Sequence, residues 1–135
     1  MQDLYIVNWL IKNTEKPNDN IKWQPHEQSP GIHVATIKGA TASIDLRIGS
    51  VSDRTGSRVI VELSSDDLGK VLIEEPHMSV SLRRKYDSDD DKALAEALRN
   101  LICSVRFQDT DRERQEIGNK EERKKAMFKR LLDTL

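Results

Sequence analysis

The feature that most constrains this chain is residues 32–82, where apolar residues recur at every second position. Ala40, Ala42, Ile44, Leu46 and Ile48 fall on one side of an extended backbone, and Thr41, Ser43, Asp45 and Arg47 on the other. That is the pattern of a half-buried antiparallel strand. Val59, Val61 and Leu63 repeat it after a polar loop at residues 50–56, and Val71 and Ile73 repeat it after residues 64–69. Residues 32–38 form the strand before it, joined near Gly39 by a tight hairpin or a bulge. Met78, Val80 and Leu82 alternate with Ser79, Ser81 and Arg83, which allows one further strand.

The flanks read differently. Leu4, Val7, Trp9, Leu10 and Ile11 are spaced for a short amphipathic helix over residues 2–14, stopped by Pro17 and the Asn18, Asp19, Asn20 run. Residues 21–24 read as a short edge strand, because Pro25 has no N–H for a ladder. Beyond the sheet, Ala93, Leu94, Ala97, Leu98, Leu101, Ile102 and Val105 form a second helical stripe, with Ser88 as N-cap and Asp91 three residues on. Residues 107–125 are nearly all charged or polar and contain Gly118, so a solvated linker or a frayed helix is expected there. Residues 126–135 then form a closing helix with Met127, Phe128, Leu131, Leu132 and Leu135 on one side.

The expected fold is therefore α+β. An antiparallel β-meander sheet of about four to six strands carries an N-terminal helix and two C-terminal helices, packed mainly on one face. The other face shows Thr41, Ser43, Asp45 and Arg47 to water. At 135 residues the chain suits a single domain, with a body over residues 1–106, the charged segment 107–125 and the terminal helix 126–135.

Composition narrows the partners. With 22 Lys and Arg against 23 Asp and Glu, the net charge is -1, so no strongly acidic or basic partner is implied. A lone cysteine, Cys103, excludes an internal disulfide and suits a reducing compartment. The first residues lack a basic segment before an apolar run, and no stretch approaches the roughly 20 apolar residues of a membrane span. A soluble, cytoplasmic protein with no membrane partner is expected.

Each chemical constellation fails on spacing. Asp87, Asp89 and Asp91 stand at positions one, three and five of a calcium loop, but Lys92 replaces the turn glycine and Leu98 the bidentate carboxylate. A helix cap explains the carboxylates better, since they suit the positive end of the helix dipole. Cys103 with His26, His33 or His77 offers a thiolate and a base, yet the Leu101, Ile102, Cys103 run reads as a buried helix face. The histidines are too scattered for zinc, and no phosphate loop or nucleophile elbow is present. No catalytic residue, metal ligand or cofactor is assigned. Trp9 and Trp23 are expected in the core.

Two basic clusters remain, Arg83, Arg84 and Lys85 beside Tyr86, and Arg123, Lys124 and Lys125 with Lys129 and Arg130. Either could contact phosphates, and Tyr86 could stack a base, but the neighbouring carboxylates oppose this.

The helix ending in Asn13, Thr14 and Glu15, the Ile21, Lys22, Trp23 strand, the meander and the closing residues 128–135 together resemble a group of small prokaryotic α+β proteins without an assigned activity. The resemblance spans most of the chain and implies an accessory domain of a bacterial cytoplasm. The charged residues 107–125 and the segment 83–91 depart from it.

The expected function is a non-catalytic protein-interaction or accessory module, with nucleic-acid binding through the basic clusters as the alternative. The apolar stripe Met127, Phe128, Leu131, Leu132 and Leu135 is a candidate self-association surface, since a helix of about ten residues is marginal on its own. Packing of that helix on its own domain is the competing arrangement.

Overall fold

The period-two stretch does fold as an antiparallel sheet. The computed structural model describes residues 2–54, 56–77, 86 and 88–134. Strands β1 (Gln24–Pro25), β2 (His33–Lys38), β3 (Ser43–Asp53), β4 (Gly56–Ser65) and β5 (Gly69–Glu74) lie side by side in sequence order. His33 pairs with Ile48, Ile48 with Val61 and Val61 with Ile73, so one row of inward side chains crosses the sheet, and all four are buried. The alternate rows point outward and are held by polar pairs. Thr36 Oγ1 donates to Asp45 Oδ1 at 2.9 Å, and Glu62 sits between Lys70 at 3.1 Å and Arg47 at 3.9 Å.

The strand limits differ from the sequence reading in ways that turn geometry explains. β3 begins at Ser43 and continues to Asp53, so most of residues 50–56 are ladder and not loop. The turn is short because Gly56, at φ 116°, adopts a conformation that few side-chain-bearing residues tolerate. Ala40, Thr41 and Ala42 belong to the β2–β3 connection, where the Gly39 N–H donates to the Ala42 carbonyl at 2.8 Å. A Cβ at Gly39 would lie 2.8 Å from that carbonyl oxygen, so the tight hairpin needs glycine there. The edge strand β1 is reduced to Gln24–Pro25, with Ile21 and Trp23 buried ahead of it. The segment carrying Met78, Val80 and Leu82 lies outside the described residues.

Helix α1 (Gln2–Thr14) buries Val7, Leu10 and Thr14, one face of three successive turns. Trp9 lies off that row and is 46% exposed, contrary to its expected core position, whereas Trp23 is buried at 1%. Its indole N–H donates to Thr14 Oγ1 at 3.0 Å, and that hydroxyl donates in turn to the Leu10 carbonyl at 2.7 Å. The large aromatic is thereby buried with its polar atom satisfied.

The main correction is at the C-terminus. Where two helices separated by a linker or a frayed helix are expected, α2 (Asp89–Thr134) is one continuous helix of 46 residues, about 69 Å long at the ordinary rise. Ser88 caps it as anticipated, its Oγ accepting from the Asp91 N–H at 3.1 Å. Nothing in residues 107–125 stops the helix, because Glu, Lys, Arg and Gln are good helix formers. A single Gly118 costs about 1 kcal/mol relative to Ala, too little to break a helix already nucleated. Leu94, Ala95, Ala97, Leu98, Leu101, Ile102 and Val105 face inward and close the core against α1 and the sheet.

Two stability changes follow. Leu98→Ala, at a site with 0% exposure, should cost about 2–5 kcal/mol in urea unfolding through lost burial and the cavity left behind. Ser88→Ala should cost about 1 kcal/mol by removing the cap.

Candidate functional site

α2 divides at about Arg112 into a part packed on the body and a part standing free of it. The packed part ends in polar side chains set at the spacing of the apolar ones before them. Gln108 Oε1 accepts from the Trp23 N–H at 3.0 Å, while its Nε2 donates to the carbonyls of Thr14 at 2.9 Å and Ile21 at 2.8 Å. Asp109 accepts from Arg112 Nη2 at 2.5 Å and its other oxygen meets the ring of buried His33. Arg112 also donates to the Trp23 carbonyl at 3.2 Å and to Gln24 Oε1 at 2.9 Å. Nearer the helix start, buried Glu75 accepts from Arg99 at 2.5 Å and from the Val59 N–H at 2.9 Å. These contacts fix the direction in which the rest of α2 leaves the body.

A groove of about 730 Å³ lies at the root of the free part, between α2 and the connection that follows α1. Trp23, Cys103, Phe107, Gln108, Asp111 and Arg112 line it. Lys16 reaches across to Asp111 at 2.7 Å, and this hydrogen bond holds its ammonium above the usual lysine range. Asp19 is held below the usual carboxylate range by its hydrogen bond from Lys22. The rim therefore alternates fixed charges around an apolar floor in which Phe107 is 61% exposed.

Every described residue of the free part, residues 113–134, is exposed. Met127, Phe128, Leu131 and Leu132 of the candidate self-association stripe are 61–63% exposed, and Leu135 lies outside the described residues. Ile117 shares their exposure. At 100° per residue, Ile117, Phe128 and Leu131 fall on one side of the helix, with Met127 and Leu132 flanking them. Glu121 and Lys124 lie on this same side between Ile117 and Phe128, Lys125 flanks it, and Arg123, Lys129 and Arg130 lie farther round the helix, all of them exposed. Of the other basic cluster, Arg83, Arg84 and Lys85 lie outside the described residues, and Tyr86 is half-buried.

The remaining candidates have structural surroundings. The His33 ring is taken by Asp109, and His26 Nδ1 accepts from the Gln28 N–H at 3.2 Å. Cys103 is exposed, not buried as expected, because the inward row at Leu98, Leu101, Ile102 and Val105 leaves it on another side of α2. Among the described residues no three His, Cys, Asp or Glu side chains are placed to hold a metal ion.

The sequence reading missed Gln108, Asp109 and Arg112, which it assigned to a solvated segment. Their signal was spacing: they continue the row of Leu101 and Val105 at intervals of three and four with polar residues in apolar places.

Gln108→Ala strands two carbonyls and an N–H, so urea unfolding should show a loss of about 2–3 kcal/mol. Gln108→Glu should also destabilise at neutral pH, because its carboxylate would face the Thr14 and Ile21 carbonyls. Those carbonyls would raise its folded-state pKa, so the deficit relative to the native chain should shrink as pH falls toward about 4.

No protein-family model matches the chain, and no curated protein or solved structure shows significant similarity to it.

Proposed function

We propose that the chain is a non-catalytic protein-interaction module whose binding element is the free part of α2. The observation that supports this reading most strongly is an apolar row, Ile117, Phe128 and Leu131, on a helix segment whose described residues are all exposed. A helix needs no such row to remain in water, and apolar side chains at helical spacing are the usual means by which one helix binds another protein. The body then serves as a rigid mount. Its sheet, α1 and the polar contacts of Gln108 and Arg112 hold the arm in one direction. The setting we infer is a prokaryotic cytoplasm, on the resemblance and the lone cysteine; among the described residues no helix is long and apolar enough to cross a membrane.

A second reading has its own support. Arg123, Lys124, Lys125, Lys129 and Arg130 follow one another along the exposed helix without an intervening carboxylate, an arrangement that can contact phosphates. If nucleic acid were the partner, a gel-shift complex would form and weaken steeply between about 50 and 200 mM salt.

Replacing Phe128 in the full-length chain by a photo-crosslinking phenylalanine distinguishes the two. Irradiation in cell extract should yield adducts to protein. Adducts to nucleic acid in their place, or none, would contradict the module reading.

A further inference from the structure

We infer that the protein covering this arm is a second copy of the chain, lying antiparallel along it with Ile117 of one protomer against Phe128 of the partner subunit. This rests on the arm being a protein-binding element, as proposed above. Charge supplies the orientation. In the first half of the free part, Glu113, Glu116, Glu121 and Glu122 outnumber Arg114 and Lys120. The second half carries the five cations from Arg123 to Arg130 and no carboxylate until Asp133. Two parallel arms would set cation against cation along the more basic half. Two antiparallel arms set the acidic half of each against the basic half of the other, and like charges are separated.

The spacing supplies the register. Phe107, Arg114, Glu121 and Phe128 recur every seven residues, interleaved with Ile117, Lys124 and Leu131, so alternate intervals of three and four define one seam. Sliding an antiparallel copy until Ile117 meets Phe128 brings Glu121 against Lys124 at the centre, once on each side of the two-fold axis. Within one chain these two side chains pair loosely, at 3.6 Å with 62% and 73% of their surface exposed, so exchange to the partner sacrifices little. A charged central layer weakens a seam compared with an apolar one but fixes its register, since a shift of one heptad would leave each charge against an apolar or like-charged neighbour. Gly118, beside Ile117, has open space around its Cα and leaves room for a large opposing ring. In this register Leu131 of the partner subunit lies near Arg114, so the partner's tip approaches Phe107 and the groove at the root of the arm.

The test uses the purified full-length chain. Light scattering over about 1 to 100 µM should show a monomer–dimer equilibrium with micromolar affinity. A chain that stays monomeric throughout overturns the second copy as occupant, while protein adducts at Phe128 would still uphold the interaction module. Glu121→Lys or Lys124→Glu should each weaken the dimer by about tenfold or more, and the double reversal should restore it to within about threefold. No recovery in the double variant overturns the register. Orientation is read from disulfides in a Cys103→Ser background. Antiparallel arms crosslink when Ile117→Cys and Phe128→Cys chains are mixed, whereas crosslinking of Ile117→Cys with itself would show parallel arms and overturn the proposal. Residues 113–134 are exposed, so circular dichroism of each variant should match the native chain and exclude misfolding as the cause.

Discussion

The three hydrogen bonds of Gln108 decide the course of the C-terminal third. One side chain ties the end of α1 and, at Ile21 and Trp23, the connection that leads into β1 to a single turn of α2. Before Gln108 the inner row of α2 is apolar and closes the core; after Arg112 every described residue of the helix is exposed. Had that row remained apolar for two more turns, the helix would have needed more sheet to cover it. Having turned polar, it can end its packing without stranding a hydrophobic surface beneath it. The arm is thus a consequence of where the body's surface stops.

Continuity of the helix past that point has an electrostatic and an entropic side. Nucleation is borne by the packed part, so residues 113–134 need only propagate, which residues of high helix propensity do in water. Exposed pairs at spacings of three and four, such as Glu121 with Lys124, add a few tenths of a kcal/mol each. None of these effects requires the apolar row at Ile117, Phe128 and Leu131, and that surplus directs attention to a partner.

Much of this was legible beforehand. Period-two alternation identified the sheet, its order and the inward positions Leu46, Ile48, Val59, Val61 and Ile73, because a slip of one residue would have turned them to water. Ala40, Ala42, Ile44 and Val71, read on the same side, are exposed. Helical spacing identified α1 to its end and the Ser88 cap of α2. Continuity of α2 was not legible by hydrophobicity, since an exposed helix of charged residues has the same composition as a linker and differs from it in propensity. Trp9 and Cys103 were misplaced for a related reason: residue type suggested burial, whereas helical phase against Val7 and Leu10, or against Leu98 and Leu101, put them outside. Within the candidate site, the terminal apolar residues were visible as a stripe, but Ile117 was hidden ten residues earlier among charges and became part of the row only once the helix was seen to be unbroken.

Hydrogen exchange at two protein concentrations tests most directly whether the arm is a helix that acquires its stability from a partner copy. Amides of residues 113–131 should exchange several-fold more slowly at about 100 µM than at about 1 µM, while those of Leu98, Leu101 and Val105 in the core stay equally protected at both. Exchange in residues 113–131 that is the same at both concentrations would contradict the account.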